Sequence, residues 1–409
     1  MSELPRGLDP VSEALSGFAK RARTERGWWV AGVLVVLGLA YPLIVDTLQE
    51  IPVIGDFIPS TGSMVVMLAF TMMALGLNVV VGYAGLLDLG YVAFYAAGAY
   101  VAGWLASLHF DDITFHLGSA LSGDLPGIHL SMWLVLVAAG FFTAAVGIVI
   151  GLPTLRLRGD YLAIVTLGFG EIVPQFVRNA DSVGGFNLTN GTFGITPIDS
   201  LAIGGIVFRQ ESNKDDLYFW TAMGLVLFTV FCCIRLRDSR LGRAWVAIRE
   251  DETAAAAMGV PLMRTKTWSY AIGAFFGGIA GAFFASYRSG AFPADFYFQF
   301  SVFLLCMVIL GGIGSIWGVI AGALILSYLD REGLATIGSK IQEGGLDFDP
   351  TKYQFGIYGV IIVAMMLLRP TGLIPERRHK IELEEGVHDT PFYDVQTEGT
   401  LTDRDMSDD

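Results

Sequence analysis

Charge, cysteine and histidine are all scarce in this chain of 409 residues. Asp, Glu, Lys and Arg together make up 16% of it, with three cysteines and five histidines. A soluble protein carries about 25% charge, so an ordinary water-facing surface is not what this composition builds. Cys232, Cys233 and Cys306 all lie inside apolar runs. That excludes a disulfide framework and a CxxC metal or redox site. His109, His116, His129, His379 and His388 are scattered with no HxxxH or HExxH arrangement, so no metal site is expected. There is no G-x-S-x-G elbow and no G-x-x-x-x-G-K-[ST] loop, and the short Gly312-x-Gly314 stretch follows no strand signal. The chain therefore hydrolyses no nucleotide itself and needs no bound cofactor. Basic stripes are also missing: 26 Lys and Arg against 39 Asp and Glu leave a net charge of −13. Nucleic acid, whose binding rests on phosphate neutralisation, is not an expected partner for such a chain.

What the chain does have is 53% hydrophobic residues and 50 glycines. Apolar runs fall at about 28–46, 63–82, 89–108, 131–151, 161–178, 217–234, 267–287, 300–328 and 354–368. Runs near 20 residues match the hydrocarbon thickness of a bilayer, and backbone groups in lipid are satisfied internally by helices. The run 300–328 is too long for one span and is broken by Gly311-Gly312-Ile313-Gly314, so it divides in two. The expected fold is all-α, a polytopic transmembrane bundle of about ten segments, some short or broken.

Three divisions follow. Residues 1–27 form a polar, partly basic opening, 28–370 the membrane domain, and 371–409 an acidic tail. From Gly372 onward eleven acidic residues face four basic ones, and the composition favours disorder. Lys and Arg concentrate in cytoplasmic loops of membrane proteins. The 235–266 loop holds Arg235, Arg237, Arg240, Arg243, Arg249, Arg264 and Lys266, whereas 109–130 holds neither residue type. Both termini and the 235–266 loop are accordingly placed on the cytoplasmic side. The sequons at Asn187 and Asn190 read as parts of a glycine-rich outer loop.

Within the membrane domain, ionisable residues are costly and mark candidate function. Asp88 lies in a glycine-punctuated break between two runs, and Glu171 lies between Gly170 and Pro174, which are expected to loosen or break that helix. Asn78, Asp88, Tyr91 and Glu171 are the candidate residues of a translocation path. Two stripes of glycine at four-residue spacing, Gly273, Gly277 and Gly281, then Gly314, Gly318 and Gly322, predict close helix packing that could slide during gating. The stretch Ala244–Met258 reads as a short exposed helix with an alanine face, stopped by Gly259-Val260-Pro261 and suited to a groove on another protein.

The loop 236–261, Gly76–Tyr100, Leu155–Glu171 and Gly311–Gly318 together resemble the LivM-type permease of branched-chain amino-acid ABC importers. The resemblance covers about residues 70–330, and the motifs are jointly specific. It implies a heteromeric importer: a homologous LivH-type permease, two ATPase subunits, and a solute-binding protein delivering substrate from outside a bacterial inner membrane. The family's coupling loop resembles E-A-A-x-x-x-G. Ala254, Ala255 and Gly259 match it; Thr253 stands at the glutamate position, with Glu252 one residue earlier. The implied ATPase-coupling residues are Arg240, Gly242, Arg243, Glu252, Ala254, Ala255 and Gly259. Urea and short-chain amide permeases share much of this pattern but resemble G-x-x-G-Q-x-S-x-G-H where this chain has Gly82–Tyr91. An amide permease and an ion-coupled carrier remain the alternatives.

Overall fold

The structure, a computed structural model, describes residues 38–51, 55–118, 126–157, 159–343, 349–369 and 371–374. The opening segment 1–27 and nearly all of the acidic tail lie outside the described residues.

Residues 38–49 form helix α1. It is followed by α2 (Thr61–Asn78), α3 (Val92–Leu105), α4 (Met132–Thr154), α5 (Asp160–Asn179), α6 (Lys214–Arg237), α7 (Arg240–Glu250) and α8 (Glu252–Ala257). The remaining helices are α9 (Leu262–Arg288), α10 (Phe298–Gly311), α11 (Ile316–Tyr328), α12 (Leu334–Glu343) and α13 (Gln354–Leu368). Six of the described helical stretches are long and apolar enough to cross a membrane: Gly55–Tyr83, Met132–Thr154, Lys214–Arg237, Leu262–Arg288, Pro293–Gly311 and Pro350–Leu368. Helix α3 is apolar but shorter, and α5 carries Asp160, Glu171 and Arg178. The helical bundle stands, with six such spans where ten segments were expected.

Two helices form its centre. Helix α2 is buried on every side from Val65 to Asn78, and α9 packs along α4, α3 and α2. Glycine makes these crossings close: a Cβ at Gly98 of α3 would overlap the Gly278 carbonyl of α9, and one at Gly281 would overlap the Tyr95 carbonyl. With little hydrophobic force between helices in lipid, such backbone approach is what holds them. The 300–328 run is divided as expected, α10 and α11 pairing through Gly311, Gly318 and Gly322. Gly314 belongs instead to the turn between them, where its φ is +88°.

Three expectations are corrected. The fold is not purely helical: β1 (Ala106–Ser107), β2 (Thr114–Leu117) and β3 (Gly127–Leu130) form a sheet in the order β1-β3-β2, and β4 (Ala202–Ile203) pairs with β5 (Ile206–Val207). These loops sit beyond helix ends, where open backbone groups pair with one another. Second, α5 runs unbroken through Gly168, Gly170 and Pro174. Its buried residues Leu162, Ala163, Thr166, Gly170, Pro174 and Val177 form one stripe, and packing along that stripe outweighs the bond that Pro174 removes. Third, Ala244–Met258 is two helices, not one. Asp251 is extended (φ −152°, ψ 108°), ending α7, while its carboxylate accepts from Thr253 N and Ala254 N to start α8.

Candidate functional site

The α-helical winding of α2 ends at Asn78 and gives way to a π-helical turn, Val79–Tyr83. Residues 84–91 then lead into α3. Asn78 is fully enclosed, and its Oδ1 accepts from Gly314 N at 2.9 Å, tying the end of α2 to the α10–α11 turn. Asp88 is buried too; its Oδ1 accepts from Gly90 N at 2.8 Å, closing a local Asx turn. The Tyr270 hydroxyl of α9 stands beside that carboxylate. Tyr91 donates from its hydroxyl to the Gly273 carbonyl at 2.8 Å, and Val92 N donates to Ser301 Oγ at 2.9 Å. The same segment is held to α5 by Leu89 N donating to Thr166 Oγ1 at 3.1 Å. Asn78, Asp88 and Tyr91 therefore share one buried break, fastened to α5, α9, α10 and the α10–α11 turn.

Glu171 is not part of that cluster. It lies on the exposed face of α5, where it lines a shallow groove with Ile172, Gln175, Phe176 and Asn179. Its neighbour Gly170 is the residue that packs against Leu89 and Gly90. Spacing along α5 explains the separation, since adjacent helical residues point about 100° apart. Of the first glycine stripe, Gly273 faces Gly76 and Val80, Gly277 faces Tyr91 and Phe94, and Gly281 faces α3. All three lie at the centre of the bundle.

The α7–α8 element lies across the beginning of α9. Ser239 caps α7, its Oγ accepting from Gly242 N at 3.1 Å. Trp245 is completely buried, donates from Nε1 to the Thr265 carbonyl at 2.8 Å and stacks at 6.5 Å on Tyr83. Gly242 is wedged against the Leu236 and Arg237 carbonyls. Arg240 and Arg243 are exposed, and Arg243 Nη1 reaches the Asp238 carbonyl at 3.0 Å. Glu252 Oε2 pairs with the buried Lys266 Nζ at 2.9 Å.

Helix α8 closes on Gly259. Val260 N donates to Ala255 O and Gly259 N to Ala256 O, both at 3.0 Å, with Gly259 at φ +85°. This is a Schellman cap, whose left-handed position favours glycine. Ala255 is buried beneath the helix, while Ala254, Ala256, Ala257 and Met258, the last 86% exposed, form the outer face. A bulky group at Ala255 would disturb the element itself, so the open face is the one to probe.

At the other end of α9, sequence reading missed a network. His129 Nδ1 lies 2.8 Å from Asp199 Oδ2, and the His116 ring stacks on His129 at 5.0 Å. Burial pushes the Asp199 carboxyl above the usual carboxylate range, while its bond to His129 and the charges of His129 and Arg209 pull it back. Arg209 Nη2 donates to the Ile198 and Ser286 carbonyls. His129 and Asp199 are 70 positions apart, and β1 brings them together: Ala106 pairs with His129 of β3, while Ser107 bridges Ile198 and Asp199 N donates to the Ala106 carbonyl. The sequon residues serve structure here: Thr189 donates to the Val177 carbonyl at 2.7 Å, and Asn190 adopts a left-handed φ of 60°.

A bundle of apolar helices, broken at a buried polar cluster and carrying a helical element across one end, defines a membrane permease. Residues 60–366 match the family "Branched-chain amino acid transport system / permease component". The chain is 36% identical over 372 residues to the "High-affinity branched-chain amino acid transport system permease protein LivM" of Escherichia coli K12, covering 86% of this chain and 76% of that protein. It is 29% identical over 326 residues to a "Probable branched-chain amino acid transport permease protein LivM" of Methanocaldococcus jannaschii, covering 75% and 91%. It is also 25% identical over 318 residues to the LivH permease of the corresponding system of Salmonella typhimurium, with the same coverage. No solved structure matches. The chain belongs to the permease family of branched-chain amino acid transport systems, and it is a membrane-embedded transport subunit, not an enzyme.

Proposed function

We propose that this chain is one of two unlike permeases that together enclose the path of an ATP-driven importer for branched-chain amino acids. Its partner is a LivH-type permease; the relatives of both kinds support that pairing. Two ATPase subunits dock from the cytoplasm, where both termini lie, and a solute-binding protein delivers substrate from outside a bacterial plasma membrane. The ten membrane segments read from sequence are the six long spans with the shorter or more polar α1, α3, α5 and α11.

The observation that carries the ATP-driven reading is the α7–α8 element. Its inner side is spent on its own bundle through Trp245 and Lys266, yet α8 presents Ala254, Ala256, Ala257 and Met258 outward. A small apolar face on an element that also carries the exposed cations Arg240 and Arg243 has the form of a helix laid into a groove. Gly242, Glu252, Ala255 and Gly259 shape that face rather than form it. In the path, Glu171 stands on the open side of α5, toward the second permease, and its carboxylate suits the ammonium group of an amino acid. Asn78, Asp88 and Tyr91 govern how the helices around the path are set. The glycine stripe of α9 and Gly318 and Gly322 of α11 allow those helices to shift.

The test is extraction of the tagged chain in mild detergent, identification of the co-purifying proteins by mass spectrometry, and reconstitution for labelled leucine and urea uptake. An ATPase, a second permease and ATP-dependent leucine uptake are expected. A chain that supports uptake alone, abolished by a protonophore at constant ATP, would establish the ion-coupled carrier; urea uptake would establish the amide permease. Glu171→Gln should alter selectivity or rate of uptake, whereas unchanged values would remove Glu171 from the path.

A further inference from the structure

We propose that Arg249 is the joint through which movement of α7–α8 reaches the break after α2; this rests on the reading of that element as the ATPase-docking surface. Arg249 is half-buried at the end of α7, and its Nη1 donates to the Gly82 carbonyl at 2.7 Å. Gly82 lies within the π-helical turn, a rare winding that is concentrated at functional positions. Carbonyls at a helix end have no partner in their own helix, so a guanidinium can take hold of one. The neighbouring Tyr83 ring stacks on Trp245, giving α7 a second grip on the same turn.

From Gly82 the contact continues inward. A Cβ there would overlap Asn78 Oδ1 and come within 2.7 Å of Gly314 N, so the glycine fits directly against the bond joining α2 to the α10–α11 turn. Gly85, at φ +67°, lies so close beneath Arg249 that a Cβ would come within 2.9 Å of its Cγ. A displacement of α7 is thereby passed to Gly82, and from there to the α10–α11 turn on one side and the segment carrying Asp88 on the other. Resemblance to the family loop did not mark Arg249, which lies ahead of the alanine run.

The test uses the whole complex, with second permease, ATPases and binding protein, reconstituted in phospholipid vesicles, and reads labelled leucine imported per ATP hydrolysed. Arg249→Met should assemble and hydrolyse ATP but lose at least about fivefold in leucine per ATP, the scale of an ordinary coupling between sites. Arg249→Lys, which keeps a donor, should recover part of the ratio, and Arg249→Gln, whose shorter side chain falls short of that carbonyl, should lower it. A ratio unchanged in Arg249→Met, or uptake and hydrolysis falling together, overturns the joint. If Arg249→Met does not assemble, the ratios of Arg249→Lys and Arg249→Gln decide in the same way. A wild-type chain that binds no ATPase would instead overturn the docking reading.

Discussion

The two ends of α9 are fastened in different ways. The helix has 27 residues, which at 1.5 Å per residue separates its ends by about 40 Å. At its start, side chains make the ties: Trp245 to the Thr265 carbonyl and Glu252 to Lys266. At its finish, backbone bridges are added to side-chain ties. Ile195 and Ala291 exchange both hydrogen bonds, and Ile198 N donates to the Ser289 carbonyl. Ser286 adds contacts to Arg209, Tyr218 and the Asp199 carbonyl. Side-chain ties can lengthen or re-form singly, whereas a backbone bridge moves as a unit with the loop it holds. Under the proposed coupling, the start of α9 acts as a joint and its finish as a cap.

Substitutions at each end of α9 have separate expected effects. The largest effect is expected from Trp245→Ala, which removes a fully buried indole and should cost about 3–5 kcal/mol, read as a lower unfolding temperature together with weaker ATPase retention. Asp199→Ala leaves the buried His129 without its carboxylate and should cost about 1–3 kcal/mol, with leucine per ATP unchanged in the surviving complex. A changed ratio would give the cap a part in coupling. Glu252→Gln should cost about 1–2 kcal/mol, because Lys266 loses its charge partner in a site that solvent reaches through Glu252. Met258→Asp should leave stability within about 0.5 kcal/mol, as exposed substitutions do. It should nevertheless sharply reduce co-purification of the ATPase; full retention would show that the open face of α8 is not the contact.

Much of this was legible in the residues, and what was not has a physical reason. Run length revealed the helices, and Gly311–Gly314 revealed the division of α10 from α11. The break at Asp88 was signalled by glycines that the turn does require, Gly85 among them. Gly170 and Pro174 gave the same signal in α5 falsely, because burial of one helical stripe overrides the loss of a hydrogen bond. Gly259-Val260-Pro261 announces the helix end, yet the start at Asp251 is hidden inside a run of good helix formers. Capping by Asp251, which depends on its extended backbone, made two helices of it. Distant pairs were beyond a reading by pattern. Arg249 with Gly82, separated by 167 positions, and His129 with Asp199 carry no local spacing that could announce them. Glu171 and Asp88 looked alike as acids near helix breaks, but the fold buries one and exposes the other.

Amide hydrogen exchange would show whether coupling enters at the start of α9 while its finish stays fixed. The full complex would be compared empty and trapped with a non-hydrolysable ATP analogue, without binding protein. Exchange reports local opening region by region. Protection is predicted to change in residues 240–260 and 79–91 and to stay the same in 195–209 and 106–117. Equal change in both sets, or change confined to the second, would show that coupling does not enter at the start of α9.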